Sequence, residues 1–249
     1  MEVVALVNQK GGVGKSTTAH NLGQWLKIKG HRVLFIDLDN QQNLSYTMGA
    51  NGNNATSFEL LSKKMTIDEA IQKTASGDLI AASPQLAESD KNIIGIDTLK
   101  LAIATIKEQY DFVILDCPPS LSILTINALI AASCVVVPCQ CDIYSLQALK
   151  QLHEIIETVK LNANPSLKVS GILITRYNKR AILSRDLSEA ISAAADKMGS
   201  KVFESQIREA IAIKEAQAVQ SDIFTYLPRS GAAKDYESFA SEFFNSTKC

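Results

Sequence analysis

Five short segments of the chain are dominated by apolar residues, and each is about as long as one buried strand. They comprise residues 3–7, 32–37, 112–116, 134–139 and 169–175. Strands with continuous apolar runs, rather than alternating ones, lie in sheets covered on both faces, and such sheets are usually parallel. The chain is therefore expected to contain a mainly parallel sheet.

The segments that follow most of these strands carry apolar residues at helical spacing. The first such pattern predicts a helix from about residue 15 to 29, and similar patterns predict helices over residues 97–109, 146–159 and 183–195. Strands that alternate with helices are typical of an α/β fold with ligands at the carboxyl ends of the strands. We expect a doubly wound sheet with helices on both faces, in a single domain spanning residues 1–249.

Weaker signals predict shorter elements. Residues 56–59 and 66–69 both fit the capping-box pattern, which marks the start of a helix. Residues 79–82 and 201–203 are expected to form short strands. A final helix opens near residue 232 and carries two phenylalanines at a spacing suited to packing.

A glycine-rich loop joins the first strand to the first helix. Residues 8–18 read NQKGGVGKSTT, and the backbone N–H groups of such a loop, with the helix N-terminus behind it, bind phosphate. Lys15 is expected to reach the β- and γ-phosphates, and the Ser16 hydroxyl to ligate Mg²⁺. The common pattern G-x-x-x-x-G-K-[ST] asks for glycine where this chain has Gln9, and a second lysine, Lys10, precedes the glycines. A plain glycine-rich turn is the alternative, which the flanking strand and helix disfavour.

Acidic residues end two of the predicted strands. Asp37 and Asp39 follow the second strand, and Asp116 ends the third. Carboxylates at this edge of a parallel sheet lie beside a phosphate loop, where they can serve metal and water chemistry. Acids at strand ends are also common as ordinary turn residues. The nearby loop favours the functional interpretation.

Composition narrows the class of protein. With 46% apolar residues in 249, the chain can bury a large core. Its net charge of −1 gives no general attraction to nucleic acid, so any DNA contact needs a local basic patch. Five cysteines without framework spacing indicate a reducing compartment. Because no apolar run approaches the roughly 20 residues of a membrane span, we expect a soluble, cytoplasmic protein.

Residues 10–17, KGGVGKST, resemble the deviant Walker A loop of the ParA/MinD family of P-loop ATPases, and later segments extend this resemblance over nearly the whole chain. The resemblance implies binding of ATP or ADP with Mg²⁺, and Mg-dependent hydrolysis that is slow without a partner. It implies that Lys10 reaches across a dimer interface to the nucleotide of the other subunit. It assigns Asp39 to positioning the attacking water, Asp37 to the magnesium shell, and Asp116 to holding Mg²⁺ through a water.

The same resemblance predicts the remaining nucleotide contacts. Asn178 follows the fifth predicted strand and is expected to recognise adenine, and Pro228 lies in a segment expected to close over the base. With these two, the predicted cofactor-binding residues are Lys10, Gly11, Gly12, Val13, Gly14, Lys15, Ser16 and Thr17.

The family branch that the chain resembles most is the Soj-like partition ATPase. That branch implies an ATP-driven homodimer, non-specific DNA binding, and a ParB-like centromere-binding partner that stimulates hydrolysis. The basic stretch of residues 176–185 supplies the candidate DNA contacts Lys179, Arg180 and Arg185, together with Arg176. Lys214 is a further candidate DNA contact, and Arg229 could neighbour the same surface. Some of these residues could instead serve the nucleotide, or simply form a solvated loop.

Three other functions of the same family remain open. A MinD-like membrane-cycling ATPase would carry a basic amphipathic C-terminal helix, whereas residues 237–247 are acidic with aromatics spaced for packing. An ATPase that loads metal clusters would need more than Cys139 and Cys141, whose spacing is not that of a usual zinc site. A regulatory module without catalysis would lack residues that this chain retains, Lys10 and Asp39 among them.

Overall fold

The computed structural model describes residues 1–93, 95–177 and 183–247. Within them, one eight-stranded sheet has the strand order β3-β4-β2-β5-β1-β6-β7-β8. The strands are β1 (Glu2–Leu6), β2 (Val33–Asp37), β3 (Gln72–Thr74), β4 (Gly77–Ile80), β5 (Phe112–Asp116), β6 (Cys134–Gln140), β7 (Lys168–Tyr177) and β8 (Val202–Arg208). All neighbouring pairs are parallel except β3 with β4. The predicted doubly wound, mainly parallel sheet is confirmed.

Helices cover the sheet on both faces. They are α1 (Lys15–Ile28), α2 (Asn43–Thr47), α3 (Ser57–Leu61), α4 (Ile67–Ala70), α5 (Ser89–Asn92), α6 (Thr98–Thr105), α7 (Ile123–Ala131), α8 (Ile143–Asn162), α9 (Leu183–Lys197), α10 (Ile211–Ala218), α11 (Ile223–Tyr226) and α12 (Gly231–Thr247). A 3₁₀ helix, Pro84–Glu88, precedes α5. None of the helices in the described ranges is both long and apolar enough to cross a membrane.

The central strand β1 shows why the core divides in two. Val3 and Ala5 belong to a cluster on one face of the sheet, whereas Val4 and Leu6 belong to a cluster on the other. Successive side chains of a strand point to opposite faces, so a strand with no polar position needs a hydrophobic cover on each side. Burying both faces fixes β1 in the middle of the sheet, and the loop after it opens at the carboxyl edge.

The C-terminal helix α12 packs against this second cluster. Tyr236, Phe239 and Phe243 are buried, and the Phe239 ring meets Phe203 of β8 edge to face, with centroids 5.1 Å apart. The aromatic residues of this helix therefore form part of the core, as their spacing predicted. A lipid-binding face would need the same residues exposed.

Several elements differ from their predicted extent. β8 is seven residues long rather than three, because its polar residues 204–206 lie on an edge strand and obscure the apolar pattern. The helix expected over 97–109 ends at Thr105. The strand expected over 79–82 begins two residues earlier and pairs with β3, which no pattern predicted. Helices α2 and α7 were also not predicted.

Candidate nucleotide-binding site

The glycine-rich loop has a backbone shape that exposes the start of α1. Gly12 and Gly14 have φ angles of 75° and 87°, a left-handed conformation that side chains with a Cβ rarely adopt. Gly14 is the residue before α1, and it has no side chain with which to cap the helix. The first N–H groups of α1 therefore have no side-chain acceptor at the helix start, and they can bind an anion at the positive end of the helix.

A cavity of about 560 Å³ lies against this loop. Its lining includes Gly11, Gly12, Gly14, Lys15, Ser16, Thr17, Asp39, Tyr46, Pro119, Arg176, Lys214 and Gln217. A smaller cavity of about 70 Å³ shares part of this lining and extends toward β8 and α12. The structure thus brings most of the predicted loop residues to one cavity, together with Asp39 and Lys214.

Lys15 is held inside the loop. Its side chain is buried, with 6% of the residue exposed, and its Nζ donates a hydrogen bond to the Lys10 carbonyl at 3.3 Å. Burial lowers the pKa of Lys15, whereas the charges of Asp116 and Asp39 oppose that shift. Among the described residues this buried ammonium has only a carbonyl acceptor. It is poised to bind an anion, because a charged partner would offset its desolvation.

Asp116 lies at the end of β5, directly beside Asp37 at the end of β2. Both residues are fully buried, and neither carboxylate oxygen of Asp116 accepts a hydrogen bond from a residue in the described ranges. Burial and the Asp37 charge raise the pKa of Asp116 well above its usual range, whereas the nearby Ser16 hydroxyl and Lys15 ammonium favour the charged form. An orphaned buried carboxylate of this kind fits a cation.

This arrangement suits Mg²⁺ better than a metal held by protein alone. Among the described residues, no group of three or more histidine, cysteine, aspartate or glutamate side chains could hold a metal ion. Mg²⁺ typically binds one or two protein oxygens and completes its octahedron with waters and substrate phosphates. Ser16 and Asp116 supply a hydroxyl and a carboxylate next to the phosphate loop.

Asp37 already has hydrogen-bond partners. Its Oδ1 accepts from the Asp39 backbone N–H at 3.0 Å, and its Oδ2 accepts from the backbone N–H and the hydroxyl of Ser45 at 2.8 and 2.7 Å. Burial raises its pKa to about 6, and these hydrogen bonds oppose the shift. The carboxylate therefore holds the turn that carries Asp39. The part predicted for Asp37 in the magnesium shell stays a prediction.

Asp39 faces the cavity from that turn. It is 5% exposed, and its Oδ1 accepts a hydrogen bond from the Gln41 N–H at 3.0 Å. Its backbone is fixed by Asp37 and its carboxylate by Gln41, so the side chain is presented to the cavity in one orientation. A carboxylate held in this way can orient a water molecule.

Lys10 does not point into the cavity. Its Nζ forms an ion pair with Asp142, and Gln140 Oε1 lies 3.5 Å away. The Gln140 amide also donates to the Gly12 carbonyl at 3.1 Å. The end of β6 and the residue that caps α8 thus contact both the start of the loop and its first lysine. Sequence reasoning missed Asp142 because it lies 132 residues from Lys10.

Other contacts that the sequence did not reveal fix the position of the loop. The Thr175 hydroxyl donates to the Val13 carbonyl at 2.8 Å, while the Val13 side chain is buried. The Gln217 amide donates to the Thr17 hydroxyl at 2.9 Å, which ties α10 to the first turn of α1. Single polar residues at these positions carry no motif, and only the fold brings them to the loop.

The remaining predicted residues fall in different places. Asn178, Lys179 and Arg180 lie outside the described residues. Arg185 belongs to α9, and its side chain is outside the described part of the chain. Pro228 is exposed after α11 and does not line either of the two cavities. The adenine and DNA assignments of these five residues stay predictions.

Comparisons with known protein families and sequences agree on the family of this chain. The AAA domain family matches residues 1–169. The chromosome-partitioning ATPase Soj of Treponema pallidum is 35% identical, across 97% of this chain and 96% of its own. The sporulation initiation inhibitor protein Soj of Bacillus subtilis is 34% identical, across 97% of each chain.

A solved structure matches equally fully. Cobyrinic acid a,c-diamide synthase from Mycobacterium smegmatis, with bound ATP analog and magnesium, superposes with a TM-score of 0.87 at 32% identity, covering 100% of this chain and 96% of that one. The two Soj proteins are similar in sequence to this chain over nearly its whole length. The chain therefore belongs to the ParA/Soj family of P-loop ATPases.

Proposed function

We propose that this protein is a DNA-partition ATPase, in which MgATP drives a homodimer that binds DNA without sequence preference. The observation that carries the proposal is the cavity at one edge of the sheet, which is lined by Gly12, Lys15, Ser16 and Asp39. The chain that forms this cavity is similar to Soj over 97% of its length. A ParB-like centromere-binding partner would stimulate hydrolysis and release the dimer from DNA.

The phosphates would lie on the loop and the N-terminus of α1. Lys15 would contact the β- and γ-phosphates, and Ser16 and Asp116 would hold Mg²⁺, which neutralises developing charge on the phosphates. The orphaned Asp116 carboxylate supports this assignment, because a bound cation would offset the cost of burying its charge.

Hydrolysis would depend on Asp39, which is held by Asp37 and Gln41 and faces the same cavity. Its carboxylate would orient the water for in-line attack. Lys10 would act across the dimer on the partner's nucleotide. To do so it must leave Asp142, its ion-pair partner within its own subunit.

DNA binding would use a local surface, since the net charge of −1 gives no overall attraction. Arg185 on α9 is the best candidate for a DNA contact, because it lies nine residues after Arg176, which lines the nucleotide cavity. A monomer that makes only a few phosphate contacts binds weakly. Dimerisation doubles those contacts on one duplex, so ATP dependence follows from geometry.

Arg185→Ala is expected to weaken DNA binding and to flatten its salt dependence. Each phosphate contact contributes a slope of about −0.9 in log K against log salt, so losing one per subunit removes roughly two units per dimer. The measurement is fluorescence anisotropy on random-sequence duplexes with ATP or ADP across a salt series. Lys100→Ala, an exposed lysine on α6, is the matched control and should leave the slope unchanged.

The same assay separates partition from its main rival. Equal DNA binding with ATP and with ADP would contradict the proposal that DNA binding depends on the ATP-driven dimer. Binding to anionic liposomes but not to DNA would indicate a membrane-cycling ATPase instead. The buried aromatic residues of α12 argue against that second outcome, because Tyr236, Phe239 and Phe243 pack into the core and are not available to insert into lipid.

A further inference from the structure

Two cationic side chains, Arg176 and Lys214, line the cavity together with the glycine-rich loop. Arg176 follows Thr175 near the end of β7, and Lys214 lies in the middle of α10. Both line the larger cavity and the smaller one, together with Gly14, Thr17 and Gln217. They therefore mark the junction of the two cavities.

Neither cation has an acidic partner among the described residues. By contrast, Lys10 is paired with Asp142, and Arg208, which lines only the smaller cavity, is paired with Asp235 through two hydrogen bonds. The carboxylates that line these cavities are Asp39 in the larger one and Glu209 in the smaller. Two unpaired cations facing a loop built for phosphate are an electrostatic match for an anion.

The position of Lys214 is fixed by the rest of α10. Gln217 lies three residues later, on the same side of the helix, and donates to Thr17 in the first turn of α1. Ala216 is buried against the core, and the next helix is tied to α1 through the Ile223 N–H and the Asn21 side chain at 3.0 Å. These contacts fix the backbone of Lys214 relative to the glycine-rich loop.

Arg176 is fixed by the backbone of β7. Its φ angle is 49°, an uncommon left-handed conformation for a residue other than glycine. The preceding Thr175 is bonded through its hydroxyl to the Val13 carbonyl of the loop. Backbone strain of this kind persists where the surroundings enforce it, and it clusters at ligand sites.

The junction of the cavities corresponds to one part of a nucleotide. The terminal phosphates belong beside Lys15 and Ser16 in the larger cavity. The smaller cavity leads away between Ile207, Ala210 and Ile213, whose apolar side chains suit the base end. The group between these ends is the α-phosphate with its ribose.

We infer that Lys214 and Arg176 bind the α-phosphate of the nucleotide, whereas Lys15 binds the terminal phosphates. The inference rests on the proposed function, and it gives Lys214 a role in place of the DNA contact expected from sequence. Because the α-phosphate is common to ATP and ADP, both nucleotides gain equally from this contact. The two cations therefore help the protein to retain the nucleotide after hydrolysis. They do not make it distinguish ATP from ADP.

The test is calorimetric titration of the full chain with MgADP and MgATP. Lys214→Ala is expected to weaken both nucleotides by the same factor, roughly tenfold, as for loss of one charge-assisted hydrogen bond. Lys214→Arg should recover most of the affinity. Lys234→Ala removes an exposed lysine of α12 that lines neither cavity, and it should bind as the wild type does. Adding Arg176→Ala to Lys214→Ala should weaken both nucleotides further.

Unchanged affinity in Lys214→Ala, with Lys15→Ala impaired, would overturn this inference and leave the proposed nucleotide site standing. If the wild type binds neither nucleotide, or Lys15→Ala binds as tightly as the wild type, the proposed site itself fails. The DNA salt slope of Lys214→Ala, measured at saturating MgATP, should equal that of the wild type. A slope flatter by about two units per dimer would place Lys214 on DNA and contradict the inference.

Discussion

Lys15→Ala is expected to bind MgATP about tenfold to a hundredfold more weakly than the wild type. The substitution removes a charge-assisted contact to phosphate, which is worth about 1.5–3 kcal/mol. Lys15 is buried beside the loop, where its Nζ donates to the Lys10 carbonyl, so its ammonium group is held close to the expected phosphate position. Calorimetric titration with MgATP measures the loss.

Two controls make this result specific. Ser16→Ala should mainly weaken the dependence of binding on Mg²⁺, because the hydroxyl is expected to ligate the metal and not the phosphate. The melting temperature of nucleotide-free Lys15→Ala should not fall, since the variant removes a buried charge whose pKa is already lowered by burial and which forms no ion pair with a described residue. Unchanged MgATP affinity in Lys15→Ala would end the assignment of this loop.

Asp39→Ala is expected to lose hydrolysis by about a hundredfold to ten-thousandfold while still binding ATP. The carboxylate that would orient the water is gone, but the phosphate contacts remain. The variant should therefore form the ATP dimer and persist in it. Light scattering with ATP, with ADP and without nucleotide gives the mass, and phosphate release gives the rate.

Lys10→Ala is the complementary variant. It should bind nucleotide normally but fail to complete the dimer that hydrolyses ATP, because its lysine is expected to act on the partner's nucleotide. Asp142→Asn removes the charge that holds Lys10 within its own subunit, and it should not prevent dimerisation. If the mass of the wild type is the same with ATP, with ADP and without nucleotide at several protein concentrations, the proposed ATP-driven dimer is contradicted.

The sequence could predict the phosphate loop and its acids because each is a local pattern. A strand, a run of glycines and a helix are contiguous in residues 3–28, and Asp116 directly follows four apolar residues. Short-range order of this kind fixes the backbone shape and the sheet edge together. The fold class followed from the same alternation of strands and helices.

Contacts between distant segments could not be predicted in this way. Asp142 meets Lys10 only because β6 pairs with β1, and the strand order is not written in any one segment. Lys214 illustrates the same limit. From the sequence it was expected beside the basic stretch 176–185 on a DNA-binding surface, whereas the packing of α10 against α1 places it at the cavity beside the glycine-rich loop.

The open edges of the sheet bear on how the protein avoids aggregation. At one end, β3 is only three residues long and offers little template for a further strand. At the other end, the Glu242 carboxylate accepts hydrogen bonds from the N–H groups of Glu204 and Ser205 in β8, both at 3.0 Å. A strand from another molecule would have to displace that carboxylate before it could pair there. Strand addition is thus disfavoured at both edges of the described sheet, so the dimer that we propose would form without competition from fibre-like growth.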